Sequence, residues 1–134
     1  MSDPPPTPPR AAPVATPAYP LDLFILPDDG IAPILNALNG AQDSIHMMIY
    51  LLTEPRIIQA LKGAVARGVD VRVILGDRQD GSLAMLRGLG IEVRFPTTSM
   101  HAKLIIADGV AFVGSQNLSN TALTRNREVG ALVF

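Results

Sequence analysis

From Leu21 onward the chain alternates short, β-branched apolar runs with longer segments whose apolar residues recur at helical spacing. That alternation admits little besides strands and helices layered on a shared sheet. Leu21 to Leu26 reads as a first strand. Pro27-Asp28-Asp29-Gly30 then turns the chain, and Asp29 is a candidate N-cap for a helix carrying Ile31, Ile34, Leu35 and Leu38 on one face and ending at Gly40. Ser44 to Leu52 reads as a buried strand, followed by Thr53 as a cap, Pro55 in the first turn, and a helix through Ile57, Ile58, Leu61 and Val65 to Gly68. Val69 to Leu75 and Ile91 to Phe95 are further strands, with a short helix from Ser82 to Leu89 between them. The predicted class is α/β, with a mixed, mostly parallel central sheet flanked by helices on both faces and joined by right-handed crossovers.

The 134 residues suffice for one domain with a substantial core. No apolar stretch reaches the roughly 18 to 20 residues of a membrane-spanning helix. There is no cysteine, so disulfides and thiolate metal sites are excluded. Net charge is −1 and the pI about 6.0, which is not the basic balance of a protein held on DNA by many phosphate contacts. Met1 to Pro20 is rich in proline and lacks the basic start and continuous apolar run of a secretory signal. It is expected to be a disordered leader over 1–20, preceding a domain over 21–134. The cellular compartment stays open.

The final third changes character. Met100 to Ala107 and Val110 to Ser115 are strand-like and joined by Asp108-Gly109, a two-residue hairpin signal, and Val129 to Phe134 is one more strand. Residues two apart on a strand share a face, so His101 and Lys103 are expected to point together, as are Ser115 and Asn117 on the partner strand. Such a hairpin gathers an imidazole, an ammonium, a hydroxyl and an amide into a phosphate clamp that contains a nucleophile. Imidazole can attack phosphorus or carry protons near neutral pH. Lysine, serine and asparagine supply charge and donors to the non-bridging oxygens. A carboxylate such as Glu128 can hold the other ring nitrogen. This chemistry calls for no metal or cofactor, and the sequence has no carboxylate cluster suited to one.

The run HAKLIIADGVAFVGSQN over 101–117 resembles the HxK(x)4D…GSxN motif of the phospholipase D superfamily. The stretch SIHMMIYLLTEPRIIQALKGAVARGVDVRVIL resembles the segment that precedes the motif in bacterial members, and the resemblance covers roughly 21–134. It implies a metal-independent, two-step phosphodiester cleavage. His101 would form a phosphohistidine, Lys103 and Asn117 would bind phosphate with help from Ser115, and Glu128 would orient His101. Asp108, also part of the catalytic motif, would be mainly a turn and hydrogen-bonding residue. The family uses two such motifs, and this chain has one. The second would come from another copy in a homodimer, as in short bacterial nucleases, or from a missing C-terminal half, as in phospholipases and cardiolipin synthase-like enzymes. Family members also continue with a helix after the strand matching Val129 to Phe134, so the domain is expected to lack its C-terminal helix. Five residues separate Asp108 from Gly114 where the family has six. A one-residue change in a hairpin bears on register, and so on Ser115 and Asn117.

The remaining polar residues have plainer readings. His46 lacks a lysine two residues on and is read as structural. Met47 and Met48 are read as core filler, and Asp70, Asp77 and Asp80 as strand-end and loop residues. Arg125 and Arg127 are either an extension of the phosphate pocket or solvated charges. Three functions are therefore carried forward. They are a phospholipid-directed hydrolase or transphosphatidylase, a dimeric endonuclease acting on DNA or RNA, and a non-catalytic phosphate-binding or dimerisation module.

Overall fold

A computed structural model describes residues 3–5, 21–78 and 80–134. Apart from 3–5, the leader expected over 1–20 lies outside the described residues. Seven strands and four helices follow in the order β1 (Leu21–Leu26), α1 (Ala32–Gly40), β2 (Ser44–Ile49), α2 (Pro55–Ala66), β3 (Asp70–Leu75), α3 (Leu83–Gly88), β4 (Glu92–Arg94), β5 (Lys103–Ala107), β6 (Val110–Gly114), α4 (Asn120–Thr124) and β7 (Glu128–Val133). All seven strands join one sheet in the order β1-β7-β6-β5-β2-β3-β4.

The expected mixed α/β architecture is present, but its parallel part is confined to one end. β2, β3 and β4 pair in parallel, because α2 and α3 carry the chain back across the sheet between them. β5 lies antiparallel beside β2, and β6, β7 and β1 continue antiparallel. Antiparallel pairings thus outnumber parallel ones, which corrects the mostly parallel expectation. No helix lies between β4 and β5, and parallel neighbours need a crossover of about a dozen residues or more.

Alternation along the strands sends one row of side chains into a single core. Ile45, Met47 and Ile49 of β2, Val71, Val73 and Leu75 of β3, Ile105 of β5 and Phe112 of β6 are buried with Ile34 and Leu38 of α1, Ile57 and Leu61 of α2, Leu86 of α3 and Leu123 of α4. Each fully buried aliphatic chain contributes about 1.5–3 kcal/mol relative to exposure. The opposite row, which registers Leu23 with Ala131, Val113 with Leu104, and Met48 with Ile74, is open. Leu21, Leu23, Ile25, Ile106, Val113 and Val129 are exposed on it. Among the described residues, then, the helices cover one face and not both, and Met48 sits half-buried on the open side rather than in the core.

Two caps differ from expectation. Asp29 does not cap α1. Its carboxylate accepts the Ile25 N–H at 2.6 Å to close the turn after β1, and α1 starts after Ile31 without a side-chain cap. Glu54, not Thr53, caps α2, accepting the Arg56 N–H at 3.3 Å and Arg56 Nε at 2.6 Å. The N–H groups of Thr53 and Glu54 both donate to the Leu118 carbonyl, which holds Thr53 out of the capping position. The short helix α4 was not expected. Ser119 caps it by accepting the Ala122 N–H at 3.2 Å.

Candidate functional site

The parallel strands β2 and β3 end where the antiparallel strand β5 begins, since Ile49 of β2 registers with Lys103. β6 runs back to finish at the same end of the sheet, and β7 starts there, with Gly114 registered to Gly130. The strand reversals therefore bring Lys103, Ser115, Asn117 and Glu128 to the carboxyl end of β2, beside the change from parallel to antiparallel pairing. Open α/β sheets bind ligands at such ends.

His101 precedes the first residue of β5 and is exposed. β2 ends at Ile49, so residues 100–102 have no partner strand, and alternation does not set the His101 direction as expected. Ring stacking does: the imidazole lies on Tyr50 with centroids 4.6 Å apart and planes 13° from parallel. Lys103 is half-buried, and its Nζ donates to the His101 carbonyl at 2.9 Å. One ammonium proton thus fixes the intervening backbone while two remain for other acceptors.

Ser115 and Glu128 form a unit. Ser115 Oγ donates to Glu128 Oε1 at 3.0 Å and accepts the Val129 N–H at 3.1 Å. The Ser115 N–H donates to the Val129 carbonyl at 3.0 Å. The carboxylate was expected on the imidazole; its hydrogen-bond partner here is the serine hydroxyl. Asn117 lies beyond the end of β6, on the segment leading to the Leu118 bridge with Leu52, so strand alternation does not orient it either. Its Oδ1 and Oε1 of the adjacent, buried Gln116 have no hydrogen-bond partner among the described residues.

Asp108 is not brought to this cluster. It lies at the opposite end of β5, in the left-handed conformation (φ 51°) that closes the hairpin. Its carboxylate accepts the N–H groups of Gln42, Asp43 and Ser44 at 2.9, 2.9 and 3.1 Å. These three bonds hold its pKa below the usual carboxylate range, against a small opposing effect of desolvation. The shortened hairpin keeps an unbroken ladder from Ala107–Val110 to Leu104–Val113.

Arg127 pairs with Asp28 at 2.8 Å on the surface, and Arg125 is exposed at the end of α4. His46 is half-exposed on the open face, with Nε2 3.5 Å from Asp70, which also pairs with Arg72. Asp80 is a buried loop anchor that accepts the N–H groups of Leu52 and Ser82 at 2.7 and 2.8 Å. Among the described residues, no group of three His, Cys, Asp or Glu could hold a metal ion. Sequence reasoning missed Tyr50 and Gly76. The signal for both was their place immediately after the ends of β2 and β3, the carboxyl edge on which a site is built.

The arrangement offers an exposed imidazole beside an ammonium, a hydroxyl tied to a carboxylate, and an asparagine amide. Ammonium and amide N–H groups are donors suited to an anion, and an imidazole nitrogen can act as a nucleophile. The family described as cardiolipin synthase, PLD-like domain, matches residues 34–134. Cardiolipin synthase 2 of Staphylococcus epidermidis is 29% identical over 112 residues, which are 75% of this chain and 23% of that protein. Mitochondrial cardiolipin hydrolase of Xenopus laevis is 32% identical over 108 residues, 75% of this chain and 51% of that one. The chain thus spans from under a quarter to about half of the length of these relatives. The crystal structure of Nuc from Salmonella typhimurium, a phospholipase D family member, is 31% identical with a TM-score of 0.77, covering 87% of this chain and 83% of that one.

Proposed function

Because the chain belongs to the phospholipase D superfamily, within the cardiolipin synthase, PLD-like domain family, we propose that it cleaves phosphodiester bonds without a metal through a phosphohistidine at His101. The observation that carries this reading is the convergence of His101, Lys103, Ser115, Asn117 and Glu128 on one end of the sheet. A ring nitrogen of His101 attacks phosphorus and the P–O bond to the leaving alcohol breaks. The alcohol takes its proton from a histidine of a second motif. That histidine then deprotonates a water, which attacks phosphorus, breaks the P–N bond and releases a phosphomonoester and free His101. Lys103 and the Asn117 amide bear the charge on the non-bridging oxygens. Glu128 keeps Ser115 Oγ directed through their hydrogen bond. The second motif comes from another copy of the chain or from elsewhere in a longer polypeptide.

Phospholipid is the substrate class we favour. The cardiolipin synthase and cardiolipin hydrolase relatives support it, as does the pI of about 6.0, low for a nucleic-acid binder. A second reading, a dimeric endonuclease, is supported by the match to Nuc, which takes in most of that chain's length. The test incubates the protein in EDTA with cardiolipin in mixed micelles and, separately, with supercoiled plasmid, comparing wild type with His101→Ala. Conversion of cardiolipin to phosphatidic acid and phosphatidylglycerol that disappears in the variant is expected. Plasmid nicking that disappears in the variant transfers the reading to nucleic acid. Turnover retained by His101→Ala refutes the nucleophile.

A further inference from the structure

We infer that Tyr50 is a positioning residue for His101, holding the imidazole at the angle from which it attacks; this rests on the phosphodiesterase reading above. Tyr50 lies outside the motif, 51 positions upstream of His101, and among the described residues no hydrogen bond to the imidazole accounts for its orientation. Glu128, the carboxylate expected on the imidazole, is bonded to Ser115. Lys103 holds only the main-chain oxygen of His101. The phenol ring is thus the contact that fixes the plane of the imidazole, at a centroid distance of 4.6 Å and an interplanar angle of 13°. His101 is exposed and outside β5. An exposed side chain on irregular backbone samples several χ1 and χ2 wells unless packing selects one.

Tyr50 itself is well anchored. The Gly76 N–H donates to the Ile49 carbonyl at 2.9 Å and the Asp77 N–H to the Tyr50 carbonyl at 2.9 Å, which carries the β2–β3 ladder past the ends of both strands. Gly76 leaves room for the ring. A Cβ there would lie 2.7 Å from Tyr50 Cδ2 and 2.8 Å from the Met100 carbonyl oxygen. One glycine therefore lets the tyrosine ring and the backbone leading into His101 approach the same point. The stack is built from both sides: β2 and β3 fix the tyrosine, and the contact at Met100 fixes the chain that bears the histidine. A flat aromatic face against an imidazole restrains rotation about χ2 while leaving both ring nitrogens free at the edge. A nucleophile whose ring nitrogens have no fixed acceptor among the described residues gains its orientation from such a restraint.

The test compares Tyr50→Leu and Tyr50→Phe with wild type in two independent readouts. The first is the position of the His101 ring-proton resonances, assigned against His101→Ala; a stacked phenol ring moves them upfield. Tyr50→Leu is expected to return them toward the position of a free histidine, and Tyr50→Phe to leave them in place. The second is steady-state hydrolysis of bis(p-nitrophenyl) phosphate, with kcat expected to fall about tenfold or more in Tyr50→Leu, KM little changed, and Tyr50→Phe close to wild type. Resonances unmoved in Tyr50→Leu overturn the stack. Resonances that move without a loss of kcat overturn the positioning role. An inactive wild type with shifted resonances overturns the reading of this chain as a self-sufficient homodimeric phosphodiesterase and with it the catalytic role of Tyr50 in it, while leaving the stack as a structural contact.

Discussion

Replacing Gly76 with alanine should disturb the end of the sheet that carries the site while leaving the fold intact. Gly76 has no left-handed φ, so alanine is free of backbone strain there and its lower unfolded-state entropy favours folding by about 0.4–1 kcal/mol. The added methyl group acts against this. It meets Tyr50 Cδ2 at 2.7 Å, the Met100 oxygen at 2.8 Å and Tyr50 Cα at 3.0 Å. Carbon contacts become favourable near 3.5 Å, so these atoms must retreat by roughly 0.5–0.8 Å. Two of the three are backbone, and they belong to segments held by the Asp77–Tyr50 hydrogen bond and by the approach to His101. Overpacking of this kind costs about 1–3 kcal/mol, which set against the entropic gain leaves a net destabilisation of about 0–2.6 kcal/mol, with a midpoint of about 1.3 kcal/mol. The displacement falls on Tyr50 and Met100, so it is passed to the imidazole; misplacement by about 1 Å can cost a hundredfold in rate. Urea unfolding is the stability assay and bis(p-nitrophenyl) phosphate hydrolysis in EDTA the functional one. A variant at least as stable as wild type, with unchanged kcat, would refute the claim that Gly76 is needed for the close approach of Tyr50 and Met100.

Asp108→Asn should lower stability at neutral pH without a specific loss of turnover, since it weakens the acceptor for the Gln42, Asp43 and Ser44 N–H groups and asparagine tolerates the left-handed turn. The native carboxyl titrates below its unfolded value, so its contribution is full above the unfolded carboxylate pKa of about 4 and is lost as pH falls through the lower folded value; denaturant midpoints measured stepwise into acid should therefore drop less in the variant than in wild type. His46→Gln should change neither the denaturation midpoint nor kcat appreciably, because the ring is half-exposed and its Asp70 partner keeps Arg72; a correctly folded variant that stops turning over would place His46 in the chemistry.

The locations of the strands and the three larger helices could be read from hydrophobic period and turn residues, because local preference and tertiary packing agree there. Disagreement begins where a strand outruns its neighbour. Apolar character continues back to Met100, yet β5 starts at Lys103, since β2 ends opposite it at Ile49. The alternation argument for His101 failed for that reason, and for Asn117 because β6 ends at Gly114. His101, Lys103, Ser115 and Asn117 stand out as candidates in the motif itself, but their partners could not be read there. Glu128 faces Ser115 rather than the imidazole, a choice set by the β6–β7 register, which no local pattern announces.

The antiparallel majority, by contrast, was present in the sequence and overlooked. Residues 95–102 contain no helical pattern, so the chain has no covering element with which to return to a parallel neighbour of β4. Asp108-Gly109 makes the next pair antiparallel by turn geometry alone. These two facts together force the reversal of direction beside β2. That reversal puts the start of β5 and the ends of β2 and β3 at one edge, which is what allows Lys103 from the motif and Tyr50 from far upstream to meet His101. The site is a consequence of the topology as much as of the motif.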